Sequence, residues 1–300
     1  MNDENALVDF DTLWNYGEPA NTEQAFRELL PLAEESGDRE YHVQLLTQIG
    51  RTLGLQRRFD EAYAILDQAE SLLSPDLPVA SVRYLLERGR TYNSSGRKEE
   101  AADLFQKAYD LAAKKQNVMA DSDSNIDFYA VDALHMLAIA TDVSEEQIGW
   151  NEQAIAYAEQ SSQPKARNWL GSLLNNLGWT YHDMGAYEKA LRLFEKALAF
   201  RQEQGNPENI QIAKWCVARV LRSLGRVEEA YQAQLALAAE SDSASGYTNE
   251  EIGECLLLLQ RPDEARPYFA QAYAQLSQDI WLTANESERL ERLKCLGEGV

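Results

Sequence analysis

One phrase returns along most of this chain, and its period limits what the chain can fold into. At residues 173–204 it reads LLNNLGWTYHDMGAYEKALRLFEKALAFRQEQ, carrying Leu177-Gly178, Tyr181, Gly185, Ala190, Phe194 and Ala197. This L-G-x2-Y … A-x3-F … A spacing describes a helix-turn-helix unit of about 34 residues. Gly178 and Ala190 are small where two helices cross and their backbones approach. Tyr181, Phe194 and the leucines fill the space between the hairpin and its neighbour. Such a unit cannot bury its apolar face alone, so copies stack on one another.

Other copies register on the alanine equivalent to Ala190. Arg88-Gly89, Tyr92, Gly96, Ala101, Phe105 and Ala108 form a second strong match, and Ile49-Gly50, Leu53, Phe59, Ala62, Leu66 and Ala69 a third. Val217-Ala218, Leu221, Gly225, Ala230 and Leu237 form a fourth; Ile252-Gly253, Leu256, Ala265, Phe269 and Ala272 form a fifth. Two units are degenerate. Leu13, Ala25, Leu29 and Leu32 keep a second helix but little of a first, and between 128 and 160 Gln147 takes the alanine position and His135 the glycine position. Ala62 to Ala101 is 39 residues and Ala190 to Ala230 is 40, so most units exceed the minimal period. The breaks fall at SPDLP (74–78), DSDSNID (121–127), SSQP (161–164), GNPEN (205–209) and SDSASG (241–246), several of which put Ser, Asp or Asn where a helix N-cap belongs. No run alternates with period two over strand length, so no sheet is expected. NESERLERLKCLG, from Asn285, reads as a final helix with a polar face, the cap a stack of repeats requires.

A net charge of −21 disfavours nucleic acid, whose affinity comes from neutralising phosphates, and anionic membrane surfaces. On the outer face such acidity serves solubility. The opening MNDENALVDFD has neither a basic n-region nor an apolar core, so it does not read as a signal peptide, and no apolar run reaches membrane-spanning length. Cys216, Cys255 and Cys295 are odd in number and lie on separate helices, which suits a reduced compartment, by default the cytoplasm.

Chemistry is hard to find. His42, His135 and His182 fall in different repeats, and there is no HExxH, CxxC, phosphate loop or nucleophile elbow. No cofactor, metal or catalytic residue is therefore expected. Glu145-Glu146, Glu228-Glu229 and Glu250-Glu251 sit in or beside predicted first turns, where they complement the helix dipole.

The phrase at 173–204, with its counterparts over about 43–115 and 171–275, resembles the tetratricopeptide repeat superfamily. Its period near 40 is similar to that of kinesin light chains, Pins-type adaptors and bacterial peptide-sensing regulators. The resemblance implies an all-α, right-handed superhelical solenoid of about seven hairpins over residues 1–300. The units at 1–42 and 116–165 are divergent, and 284–300 forms a capping helix. It also implies a concave groove that takes a protein or peptide segment, contacted by first-helix positions two, five, six, nine and twelve.

Counted from Gly171, those positions are Ser172, Asn175, Asn176, Trp179 and His182. Earlier repeats place Gln44, Thr47, Gln48 and Arg51, then Arg83, Leu86, Glu87, Arg90 and Asn93; later ones place Ile212, Trp215, Cys216, Arg219 and Arg222, then Tyr247, Glu250, Glu251 and Glu254. Carboxamides donate to and accept from a peptide backbone without reading its sequence. Arg51, Arg83, Arg90, Arg219 and Arg222, with Trp179 and Trp215, are residue types that dominate interface hot spots. They describe a locally positive groove with two aromatic anchors. The alternative is that the arginines pair with nearby acids and the tryptophans pack between repeats. The carboxylate clamp of chaperone-binding members is not reproduced, because Thr47, Arg51 and Glu87 stand at its positions. The expected function is an adaptor or assembly scaffold. A sensor of a small signalling peptide is the second reading, and self-association through an end repeat around Leu256–Leu259 is a further one.

Overall fold

The computed structural model describes residues 7–116, 125–240 and 244–299; the acidic start at 1–6 and most of the loop signals at 121–124 and 241–243 lie outside the described residues. Among the described residues there are helices and no strand. Two compact units make up the chain, residues 1–173 and 174–300.

Unit 1 opens with a 3-10 turn, Phe10–Leu13, and α1, Pro19–Ser36. Three hairpins come next: α2 (Arg39–Leu55) with α3 (Phe59–Ser71), α4 (Pro78–Ser94) with α5 (Lys98–Gln116), and α6 (Ile126–Ala140) with α7 (Ser144–Gln160). A short α8, Pro164–Arg167, precedes α9, Leu170–Asp183, in which the unit ends. The first helix of each hairpin packs on the next, α2 on α4 and α4 on α6, so their outward side chains share one face. Unit 2 holds most of α9 with α10 (Tyr187–Gln204), then α11 (Pro207–Ser223) with α12 (Val227–Ala239), and α13 (Gly246–Leu258) with α14 (Pro262–Leu276). It closes with α15 (Ile280–Asn285), which no repeat signal announces, and α16 (Ser287–Glu298), which lies on α14. Leu290 and Leu293 of α16 join the core of Leu256, Phe269 and Leu276, so the last repeat is covered and Leu256 is buried.

The repeated glycines are small because an aromatic ring lies on them. A Cβ added at Gly89 would meet the Phe105 ring at 2.5 Å, and one at Gly178 the Phe194 ring at the same distance. The constraint is glycine against ring within a hairpin, not backbone against backbone. Unit 2 breaks the pairing once. Where Phe105 and Phe194 stand in their hairpins, α12 carries Gln234, fully buried against a helix whose glycine has become Ala218, and neither amide atom finds a partner among the described residues.

Each strong hairpin turns through one left-handed residue, five positions before the anchor alanine. It is Gly96, Gly185 or Gly225 in three cases, but Arg57 and Gln260 in two, both at φ +60°. The next amide bonds back around the helix end, Ala186 to Tyr181 and Arg261 to Leu256 at 2.8 and 2.9 Å, satisfying carbonyls that the helix leaves open. At GNPEN the chain reads as its residues dictate. Gly205 ends α10 left-handed, the Asn206 side chain caps α11 by accepting from the Asn209 amide, and Pro207 takes the first helical position. In the degenerate unit, Asn151 and Ala154 are buried where Phe194 and Ala197 are in the strong one, in keeping with the register set by Gln147 and His135.

Candidate functional site

Arg51, Arg83 and Arg90 of unit 1 stand on the shared first-helix face, and each meets a carboxylate. Arg51 pairs with Glu87 at 3.1 Å; Arg90 bridges Glu87 at 2.8 Å and Asp132 of α6 at 2.5 Å. Burial works against the charge on Arg90, but Asp132 and Glu87 outweigh it and hold its pKa above the usual guanidinium range. Arg83 is 6% exposed, and its fork grips Asp11 of the N-terminal turn at 2.6 and 2.9 Å. The positive charge read from these residues is therefore matched by three acids, Glu87, Asp132 and Asp11, each of which reaches an arginine on another element.

In unit 2 the same logic runs with fewer carboxylates. Glu251 of α13, buried, bonds Arg222 at 2.7 Å and Arg219 at 3.0 Å, so two cations share one acid. Burial pushes Arg219 below the usual guanidinium range despite Glu251, with Arg222 adding to the effect, whereas at Arg222 burial is outweighed by the bond to Glu251, which holds it above that range. Glu250 and Glu254, in turn, pair with Arg289 and Arg292 of α16. The glutamates at 250–251 thus do not act as solvated first-turn acids. They are buried and form a ladder linking α11, α13 and α16.

Aromatic rings line the same side of unit 2. Trp179, half-buried, packs on Phe194 of its own hairpin at 5.1 Å and lies 6.0 Å from Trp215. His182 sits edge-on to Trp179, with Nε2 at 2.9 Å from Ser223 Oγ, which also accepts from Arg219 at 2.7 Å. The Cys216 thiol, raised to about 12 by burial and so protonated, donates to the Asn175 carboxamide at 3.2 Å. Asn176 lies on the same turn, half-buried. Trp215 continues the row to Tyr247, whose carbonyl accepts from the indole at 3.3 Å.

The row ends in a cleft of about 480 Å³ between α11, α12 and the start of α13, lined by Gln211, Ile212, Trp215, Leu237, Tyr247 and Thr248 among others. Ile212 is 51% exposed and Tyr247 39%. An apolar cleft with a few polar atoms at its rim is the usual form of a binding site. Ile212 and Tyr247 were legible as groove positions. That they stay open, while Trp179 turns partly inward, is decided only by the packing.

Family models for the tetratricopeptide repeat match residues 47–116 and 170–203. Those two stretches are tetratricopeptide repeats. The repeats of this chain have the fold of several solved structures. The apo form of RapI matches with a TM-score of 0.66 at 14% identity, covering 96% of this chain and 82% of that one. The apo quorum sensor NprR from B. thuringiensis matches with a TM-score of 0.58 at 16% identity, covering 96% and 81%. BtubC (BKLC) from P. vanneervenii matches with a TM-score of 0.58 at 16% identity, covering 77% and 91%. No curated protein sequence matches the chain. Among the described residues, no helix is long and apolar enough to cross a membrane, and no group of three or more His, Cys, Asp or Glu could hold a metal ion.

Proposed function

We propose that this protein is a peptide- or protein-recognition scaffold without chemistry of its own. The observation that carries the reading is the row Trp179–Trp215–Tyr247 ending in an open apolar cleft. Aromatic rings beside neutralised arginines suit a partner segment with apolar side chains for the cleft and backbone groups for Asn175 and Asn176. Arg219 and Arg222 share a single acid, so they remain able to accept a carboxylate from that segment. Arg51, Arg83 and Arg90 would contribute in unit 1 only where their own acids are displaced. The free cysteines, two of them buried, support a reduced compartment and with it the cytoplasm. Self-association through the C-terminal end would draw on Leu258, 53% exposed, and Trp281, 61% exposed.

The test is capture from a lysate of the source cell, followed by reconstitution with the captured protein in purified form. Wild type is compared with an Ile212→Ser/Tyr247→Ser variant, both exposed positions whose replacement leaves the core alone. An affinity reduced tenfold or more in the variant supports the cleft; equal affinities sink it.

The second reading, a regulator that senses a small signalling peptide, is favoured by the near-complete cover of this chain by the quorum sensor NprR. A sensor should compact measurably in small-angle scattering when its peptide is added, whereas an adaptor should keep its dimensions.

A further inference from the structure

The N-terminal segment, residues 8–16, does not behave as part of a hairpin. It holds a single four-residue turn, yet its side chains reach the first helices of two successive repeats. Tyr41 of α2 donates its hydroxyl to the Val8 carbonyl at 2.9 Å, and Trp14 donates its indole N–H to Gln48 of α2 at 3.1 Å. Asp11 lies against Arg83 of α4, 72 positions later in the chain. Trp14 and Tyr16 stack at 4.7 Å, and the Arg51 guanidinium covers both rings at 5.8 and 5.5 Å. Gln48, Arg51 and Arg83 are groove positions of their repeats. The chain's own segment lies where a ligand of such a groove would lie.

Two further facts separate a resident ligand from an ordinary structural contact. Phe10 is the main anchor, buried among Phe26, Leu45 and Leu53 of the core, and Trp14 adds an edge-on contact to Phe26 at 5.3 Å. On either side of the half-buried Trp14 the segment stays near solvent: the Asp11 side chain is 43% exposed and Tyr16 61%. With the segment in place Arg83 is buried. Arg83 lies between the Phe10 and Tyr129 rings, and the nearest acid on its own helix, Glu87, is already shared by Arg51 and Arg90. Gln44 of α2 also accepts from Arg83, at 3.0 Å, but a neutral carboxamide does not balance the charge of a buried guanidinium, and Asp11 supplies that balance.

We propose that the first-helix face of unit 1 is a binding surface for an extended peptide carrying a carboxylate three residues before an indole, and that Asp11–Tyr16 occupies it in cis. Tethering through Phe10 gives the resident segment a high effective concentration, so a partner peptide competes only when it makes additional contacts or is itself linked to the protein.

The full-length chain with Asp11→Ala, Trp14→Ala and Tyr16→Ala, retaining Phe10, frees the face. A fluorescent synthetic peptide of residues 7–17 should bind this variant at least tenfold more tightly than wild type, read by anisotropy. The same peptide with Asp11→Lys should lose at least tenfold. Equal binding to wild type and variant, or equal binding of the two peptides, overturns the proposal. Because the variant could lose fold, wild type supplies a second reading by hydrogen exchange. Saturating peptide should speed exchange of the amides at 11–16 at least fivefold and leave α2 unchanged, and no change at 11–16 overturns the proposal equally. Both measurements read unit 1, whereas the Ile212/Tyr247 variant reads unit 2, so either idea can fail alone.

Discussion

The first-helix faces of the two units are built from the same repeat positions and reach opposite states. In unit 1, arginines and acids alternate along α2, α4 and α6, and the one arginine left over is filled by Asp11 from the N-terminal segment. In unit 2, Arg219 and Arg222 share Glu251, the aromatic row runs past them, and the cleft at Ile212 and Tyr247 stays open. A groove position in a repeat therefore does not carry a fixed role. The acid that reaches an arginine, from the next repeat for Arg51 and Arg219 and from the N-terminal segment for Arg83, decides how it is paired.

The largest effects lie in the packing between helices, where a hairpin with a buried ring differs from one with a buried amide. Phe105→Ala in unit 1 should cost about 3–5 kcal/mol, because a fully buried ring is lost from against Gly89. At the equivalent position of unit 2, Gln234→Leu should instead stabilise by about 1–2 kcal/mol, since it removes buried amide atoms that lack partners. Denaturant unfolding of the two variants checks both signs, and a destabilised Gln234→Leu would show that the amide has a role the packing hides.

The charge ladders come next. Glu251→Gln should cost about 3 kcal/mol, because both Arg219 and Arg222 lose their acid. Glu87→Gln should cost less, about 2 kcal/mol, because Asp132 still holds Arg90. Equal losses in thermal unfolding would mean that the two faces are alike after all.

A smaller effect comes from His135, packed on Trp169 at 5.0 Å in unit 1. Burial lowers its pKa, with Arg90 adding to this and Asp132 opposing it. A histidine held neutral in the folded state binds its proton more readily when unfolded. Its contribution is therefore fully present above about pH 6.5 and declines as the pH falls below that value toward the folded-state pKa. Urea titrations between pH 7 and pH 5 should show a shallower decline in His135→Gln than in wild type.

The smallest effect is local to the turns. Arg57→Gly in unit 1 and Gln260→Gly in unit 2 should each stabilise by about 0.5–1 kcal/mol, since both residues sit left-handed at φ +60°. Similar gains would show that these turns ignore what their faces bind, and unequal gains would show coupling between turn and face.

Much of the fold was legible. The anchor alanines, the Gly–Phe pairs and the capping signals at 205–209 are local, and each names its own geometry through sterics and helix-end hydrogen bonds. The candidate site was legible only as a set of positions. Nothing near Arg83 in sequence announces Asp11, and nothing near Arg219 announces that Glu251 is already shared. Gln234 hides between Ala230 and Leu237, which satisfy the repeat pattern on either side of it. The acidic-aromatic run DFDTLWNY was available as a signal, but its meaning depends on contacts 72 residues away.

The all-α repeat architecture, the register of the strong hairpins and the identity of the side chains on the first-helix faces are all written into the chain locally, because a period set by helix geometry repeats wherever the residues do. Which of those side chains meet a partner is settled at the level of packing. Ion pairing and ring stacking depend on distances of a few ångströms between residues far apart in the chain, and stacking the repeats is what sets those distances.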